Sequence, residues 1–203
     1  MSEPFRTRSF VALDPGSRPV RRRSAVRVMV SDGSSVLLLS DTDPGAPGTR
    51  WWVTPGGGID PGEQPAQAAV RELAEETGRA VDPADLVGPV LRRVVIHGYS
   101  DQVLVQAELF YLLPVPAPFE LDTSGFTDDE KITIAAWAWH PVEQLAGLPD
   151  PVWPAGLADL LALADRPASW PVDAGVVEES TVNAGELGRR AALDCTGFPD
   201  PEA

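Results

Sequence analysis

Residues 66–77 (AQAAVRELAEET) carry the clearest helical pattern in the chain, and Gly78 follows at the position where helices commonly end. Glu72, Glu75 and Glu76 stand at i, i+3 and i+4, so a helix gathers them on one arc of about 100°. The opposite arc is expected to pack on a sheet and contains Ala66, Val70, Leu73 and Thr77. Like charges at this spacing repel by roughly 0.2–0.5 kcal/mol per pair, so the acidic arc is either a solvated surface or a cation site.

The helix follows a glycine-rich segment, Thr54-Pro55-Gly56-Gly57-Gly58, which can bring backbone groups close to a ligand. No Lys-Ser/Thr follows it, so it is not a P-loop, and Pro61 breaks the GxGxxG pattern. Divalent cations such as Mg²⁺ prefer oxygen ligands and keep positions for water and substrate phosphates. The loop and the acidic arc together therefore favour the cation site.

The composition limits the classes of partner. The 203 residues are 43% hydrophobic, which is enough apolar material for a core. The formal net charge is −14, and a negative field of this size repels polyphosphate backbones. We therefore expect no nucleic-acid polymer as a partner. A single cysteine, Cys195, and two histidines cannot form an internal disulfide or a structural zinc site. Because no signal-peptide or membrane-span pattern is present, we expect a soluble, cytoplasmic protein without a membrane partner.

Three segments are predicted along the chain: an N-terminal arm (1–19), a central domain (20–166) and a C-terminal tail (167–203) that is partly flexible or docked. Strand patterns cover 25–31, 36–40, 51–54, 90–96, 103–113 and 134–140, with Asp32-Gly33 as a hairpin turn. A second helix is expected at 154–164, and 120–131 is expected to be a loop. Strands on both sides of a central helix indicate an α/β fold of the α+β kind, a mixed β-sheet sandwiched between helices.

Gly57, Glu63 and the run from Arg71 to Gly78 form a 22-residue pattern with eight fixed residue types. This pattern resembles the signature box of the Nudix hydrolases, Gx5Ex7REUxEExGU with U apolar, at every fixed position. The final apolar position is Arg79 instead, and Val81 can take over its packing. The resemblance implies the family's fold, a mixed sheet between helices. It also implies the family's activity, the metal-dependent hydrolysis of a nucleoside diphosphate linked to another moiety by water attack on phosphorus.

The resemblance also implies roles for individual residues. Carried over by position, the ligands of Mg²⁺ or Mn²⁺ are Glu72, Glu75 and Glu76, with a carbonyl of Gly56 or Gly57. Glu63 and Arg71 become supporting residues, in which Arg71 holds a box carboxylate by a charge-assisted hydrogen bond. The general base of the family is a box glutamate or an acid of a downstream loop. The downstream candidates are Asp128, Asp129 and Glu130, with Asp101 weaker, and we favour Glu130 because it lies closest to the following strand.

Substrate contacts are predicted from Gly57 and Gly58 through their backbone and from one tryptophan. Trp51 and Trp52 point to opposite faces of a strand, so one fills the core while the other, Trp52, either stacks on a nucleobase or packs at an edge. The segment 21–23, three consecutive arginines, is either a solvated patch or reaches substrate phosphates.

The substrate itself stays undefined at this level. The marks of subfamilies that act on ADP-ribose, dinucleoside polyphosphates, NADH or coenzyme A are missing, which favours a nucleoside triphosphate or another small nucleotide derivative. The alternative function is a non-catalytic Nudix-fold nucleotide sensor or regulator. A homodimer also stays open.

Overall fold

The structure is a computed structural model and describes residues 8–193. Its strands are β1 (Val20–Ser31), β2 (Ser35–Thr42), β3 (Arg50–Val53), β4 (Val87–Gly98), β5 (Val103–Pro114), β6 (Ala136–Pro141), β7 (Val152–Trp153) and β8 (Val172–Glu178). Its α-helices are α1 (Pro65–Thr77), α2 (Asp128–Thr133), α3 (Leu157–Ala162) and α4 (Gly185–Leu193). The first seven residues of the predicted arm and residues 194–203 of the predicted tail, which include Cys195, lie outside the described residues.

The strands form one mixed sheet in the order β7-β3-β2-β1-β5-β4-β8, with β6 paired to β2. β1 and β5 run parallel along the whole of β1, from Val20 opposite Val103 to Ser31 opposite Pro114. β4 is antiparallel to β5 and parallel to β8, whereas β2 is antiparallel to both β3 and β6.

Helices cover both faces of this sheet. Adjacent residues of a strand point to opposite faces, and the neighbours Val28 and Met29 of β1 belong to different cores. Val28 packs in a cluster with Leu73 of α1, and Met29 packs in a cluster with Leu157 of α3. The predicted mixed β-sheet sandwiched between helices is therefore confirmed. No helix within residues 8–193 is long and apolar enough to cross a membrane.

The buried face of α1 is wider than its sequence pattern predicts. Leu73 and Thr77 are buried as expected, but Glu72 and Glu76 are buried too, with only 6% and 5% of their surface exposed, while Val70 is half-buried. The expectation that the acidic arc faces away from the packed side is wrong for these two residues. A helical wheel shows only the helix, whereas the glycine-rich loop and α2 cover this side in the folded chain.

The glycine-rich loop is an extra segment on the edge of β1. That edge meets β2 only near the hairpin turn, where Ser31 pairs with Val36. Upstream, Val26 N donates a hydrogen bond to Gly57 O at 2.9 Å and Val28 N donates to Pro55 O at 2.8 Å. The loop is thus fixed to the sheet and leads directly into α1.

Regular structure is present in the predicted loop and in the tail predicted to be partly flexible or docked, where 186–193 has a weak helical pattern. Residues 128–133 form α2 rather than a loop, because Thr127 and Glu130 make a reciprocal capping box: Glu130 N donates to Thr127 Oγ1 at 3.3 Å and Thr127 N donates to Glu130 Oε2 at 2.7 Å. In the predicted tail, β8 extends the sheet at β4, and α4 packs Ala191 against Ile96. The division into arm, domain and tail stays a prediction.

Candidate active site

Two glycines let the loop lie against both the sheet and α1. Gly56 has φ of +135°, and a Cβ there would lie 2.2 Å from Val26 O. A Cβ on Gly57 would lie 2.5–2.7 Å from the carboxylate atoms of Glu72. A side chain at Gly56 would push the loop away from β1, whereas one at Gly57 would push against the Glu72 carboxylate of α1.

Arg71 ties the loop, the helix start and the acidic face together. Its Nε and Nη2 donate to the two carboxylate oxygens of Glu63 at 2.8 and 2.9 Å, and Nη2 also donates to Gly58 O at 2.8 Å. Its Nη1 donates to Glu72 Oε1 at 2.8 Å and lies 3.5 Å from Glu75 Oε1. The hydrogen bonds to Glu63, followed by the one to Glu72, raise the pKa of Arg71, and its guanidinium is a cation beside the acidic cluster.

Three carboxylates converge next to the loop. One oxygen each from Glu72, Glu76 and Glu130 lie within 4.8 Å of one another. Gly56 N donates to Glu76 Oε2 at 2.7 Å, which orients the deepest of these carboxylates. Glu75 is not part of this group, and its side chain is one-third exposed beside Arg71. The structure thus brings Glu130 to the box helix from a segment more than 50 residues downstream.

The cluster carries more negative charge than its surroundings compensate. Burial, and after it the charges of Glu72 and Glu130, raises the pKa of Glu76 well above its ordinary value. Burial also raises the pKa of Glu72, although Arg71 opposes this shift. A divalent cation would remove the repulsion and hold both groups ionised. The donor set, three carboxylate oxygens with a backbone loop beside them, fits a hard cation such as Mg²⁺ or Mn²⁺.

The glycine carbonyls predicted as an additional ligand already accept hydrogen bonds within the protein. Gly57 O accepts from Val26 N, and Gly56 O accepts from Arg27 Nη1 at 3.1 Å. Gly58 O accepts from Arg71. Each carbonyl has a second lone pair, so a metal ligand from Gly56 or Gly57 and substrate contacts from Gly57 and Gly58 stay predictions.

The two adjacent tryptophans lie on opposite sides, as their alternation predicts. Trp51 is 2% exposed and stacks on Trp153 with ring centroids 4.7 Å apart. Trp52 is half-buried, packs against the cluster of Met29 and α3, and meets the edge of His140 at 4.3 Å. The predicted stacking of Trp52 on a nucleobase stays a prediction, and its observed neighbours are those of the edge-packing alternative.

Sequence reasoning missed a buried ionic network that supports the loop. Arg27 donates from Nε to Glu108 Oε1 at 3.2 Å, and from Nη1 to the carbonyls of Thr54 and Gly56. Glu108, fully buried, also accepts from Arg93 Nε at 2.7 Å. Burial opposes ionisation of Glu108, but Arg93 and Arg27 outweigh it and lower its pKa to about 2.

The network continues into the predicted tail, where Arg93 donates to both oxygens of Glu179 at 2.9 and 2.8 Å. The only sequence signal was the alternation of arginines in β1 and of polar residues in β5. Arg27 is 81 positions from Glu108 and Arg93 is 86 positions from Glu179, so that signal does not pair them.

Comparison with known proteins agrees with the motif. The family model described as NUDIX domain matches residues 21–163. A Rhodococcus erythropolis protein named "Uncharacterized Nudix hydrolase orf19" is 33% identical over 136 residues, which are 64% of this chain and 69% of that protein. The chain therefore belongs to the Nudix family, as its box predicts.

Other relatives share shorter regions or only the general architecture. A Brucella ovis protein named RNA pyrophosphohydrolase is 45% identical over 71 residues, which are 32% of this chain and 39% of that protein. The match thus spans about two-fifths of the length of that relative. A crystal structure of a MutT protein from Methanosarcina mazei Go1 superposes with a TM-score of 0.47 at 21% identity, covering 74% of this chain and 96% of that chain.

Proposed function

We propose that the protein is a pyrophosphohydrolase that depends on a divalent cation and cleaves a phosphoanhydride bond of a nucleoside diphosphate linked to a further group. The observation that carries this proposal is the convergence of Glu72, Glu76 and Glu130 beside the glycine-rich loop, which Gly56 allows to lie against β1. The substrate class we favour is a nucleoside triphosphate or another small nucleotide derivative.

Glu72 and Glu76 would hold the cation, with Glu75 and a carbonyl of Gly56 or Gly57 as further ligands. When bound, Mg²⁺ or Mn²⁺ supplies neutralisation of the substrate's phosphate charge and activation of a water molecule. The protein's own contribution is orientation, because Gly56 N fixes Glu76 and the Arg71 guanidinium fixes Glu72.

Glu130 is the residue we propose as general base. Its Oε2 accepts from Thr127 N, which fixes the carboxylate relative to α2 and leaves Oε1 to accept a proton from the attacking water. One of its carboxylate oxygens lies within 4.8 Å of an oxygen of Glu72 and of Glu76, the two residues that would hold the cation. The box glutamates are the alternative base.

A hydrolysis screen tests the proposal. Purified protein with Mg²⁺ or Mn²⁺ is offered nucleoside triphosphates, dinucleoside polyphosphates, nucleotide sugars and a 5′-triphosphorylated RNA oligonucleotide, and released phosphate and pyrophosphate are measured. We expect turnover of at least one small nucleotide and its loss with EDTA. Turnover that is insensitive to EDTA contradicts the metal requirement. Nucleotide binding without any turnover would indicate the sensor instead, and turnover restricted to the RNA would move the substrate class to 5′ ends of RNA.

A further inference from the structure

Arg23 lies in β1 next to the candidate site but has no part in the interactions described above. It is opposite Gln106 of β5 in the parallel register and follows the same alternation as Arg27. Its Nη1 lies 3.4 Å from the position that a Cβ of Gly58 would occupy. The guanidinium is therefore beside the loop that contacts Glu72.

One edge of the Arg23 guanidinium is firmly oriented. Its Nε donates to Gln106 Oε1, and Gln106 Nε2 donates to Glu108 Oε1 at 3.1 Å. Glu108 is itself held by Arg93 and Arg27. These hydrogen bonds fix the orientation of the guanidinium, whose Nη1 lies beside Gly58 of the loop.

The outward edge lacks an anion, unlike that of the neighbouring arginines. Arg27, Arg71 and Arg93 each pair with a carboxylate at 2.7–3.2 Å. Within residues 8–193, by contrast, no carboxylate oxygen lies within 4 Å of the Arg23 guanidinium, and neither of its Nη atoms has an acceptor. The residue is also exposed to solvent, so a ligand can reach it.

The charges around Arg23 also favour the binding of an anion beside its guanidinium. Desolvation by the neighbouring protein, followed by the positive charge of Arg27, lowers the pKa of Arg23, although part of the side chain is exposed. A guanidinium with two parallel free donors matches the oxygens of a phosphate in a bidentate arrangement. An anion at this place would compensate both arginines.

We propose that Arg23 is a substrate-binding residue whose Nη atoms hold a phosphoryl group adjacent to the one attacked. This inference rests on the proposed function for the identity of the reaction but not for the anion site itself. The alternative is a purely structural role, in which Arg23 only balances the charge of the buried acids around it.

Binding of inorganic pyrophosphate tests the anion site without turnover. Isothermal titration calorimetry with Mg²⁺ compares wild type, Arg23→Gln, Arg23→Lys and the control Arg189→Gln, which removes an exposed arginine of α4. We expect Arg23→Gln to bind pyrophosphate about tenfold more weakly or worse, because a charge-assisted bidentate contact is lost. Arg23→Lys should be intermediate because it keeps the charge without the fork, and Arg189→Gln should match wild type.

Kinetics and melting separate this role from a structural one. With a hydrolysed nucleotide, Arg23→Gln should raise KM about tenfold while kcat stays within about threefold, since the lost contact is made in both ground and transition states. The melting temperature should change little, because the side chain makes one hydrogen bond and is exposed. Unchanged pyrophosphate affinity in Arg23→Gln, or no pyrophosphate binding by wild type, overturns the proposal.

The two proposals fail separately. If wild type binds pyrophosphate through Arg23 but hydrolyses no nucleotide, the proposed function is wrong and the anion site stands. If nucleotides are hydrolysed with an unchanged KM in Arg23→Gln, the enzyme stands and this role of Arg23 is wrong.

Discussion

Two regions of the molecule are each held together by side-chain hydrogen bonds, but the bonded residues are close in sequence in one region and distant in the other. In the loop and helix of residues 54–78, Arg71 bonds to partners 1, 8 and 13 positions away in the chain. Around Asp43, the bonds join residues much farther apart: Ser100 is 57 positions away and Thr181 is 138 away. The first region is a local motif, whereas the second is a junction of remote segments.

The Asp43 junction brings both predicted flanking segments onto the domain. Asp43 is 1% exposed and accepts from Ser100 N at 2.7 Å, from Ser100 Oγ at 2.5 Å and from Thr181 Oγ1 at 2.8 Å. From the arm, Arg8 donates to Asp101 at 2.6 Å, and its guanidinium lies 4.4 Å from the centre of the Tyr99 ring. A single buried carboxylate, Asp43, thus holds remote segments together by hydrogen bonds, as Arg71 holds the loop and α1.

The largest expected effect is at Glu130, because this residue comes from a segment remote in sequence and joins the carboxylates of α1. Glu130→Gln should lower kcat by roughly 10²–10⁴-fold, the range for loss of a general base, with little change in KM. Asp128→Asn, two positions away on a side chain that is 98% exposed, should be mild. Steady-state kinetics decide: a Glu130→Gln enzyme within about threefold of wild type would leave the box as the whole catalytic centre.

Glu76 tests the local region itself. Glu76→Gln keeps the shape but removes a charge, so kcat should fall roughly 10²-fold or more and metal affinity should weaken. The melting temperature without metal should stay near that of wild type, because the substitution also removes repulsion from Glu72 and Glu130. Kinetics, metal titration and thermal melting check this, with the exposed Glu143→Gln as the charge-matched control. Wild-type activity in Glu76→Gln would contradict the proposed site.

Asp43 tests the junction through stability. Asp43→Ala leaves the Ser100 and Thr181 donors buried without their acceptor, so the free energy of unfolding should fall by about 2–4 kcal/mol. Asp14→Ala is the control, because Asp14 is exposed and its side chain makes no capping bond. Urea denaturation measures both variants. An equal, small loss in the two would show that the junction contributes little.

His97, which stacks on Tyr99 beside this junction, adds a pH dependence of at most about 1.4 kcal/mol per pH unit. Burial lowers its pKa to about 4, against the opposing charges of Glu108 and Glu179. Below its ordinary pKa of about 6.5 the unfolded chain takes up a proton that the folded chain refuses, so stability falls as the pH drops from about 6.5 to about 4. Urea denaturation at several pH values should show a flatter slope in His97→Gln, and an identical slope would contradict the assignment.

Much of the local region could be predicted because its information lies within one short stretch of chain. The spacing of Gly57, Glu63 and Arg71 indicated the family, and through this resemblance it predicted the glycine-rich loop and the supporting roles of Glu63 and Arg71. The strand alternation likewise predicted that Trp51 and Trp52 separate. The burial of Glu72 was not predictable in this way, because helical periodicity describes only the helix and not what covers it.

The sequence by itself determined the family, the helix with its acidic arc and the alternating faces of the strands, since each depends on residues a few positions apart. Only the tertiary structure decided that Glu130 joins Glu72 and Glu76, that Arg27 meets Glu108, and that Arg23 lies beside Gly58 of the loop. These contacts depend on which strands become neighbours and on the register between them. Pairing of that kind is set by packing of the whole core, which no short window of sequence contains.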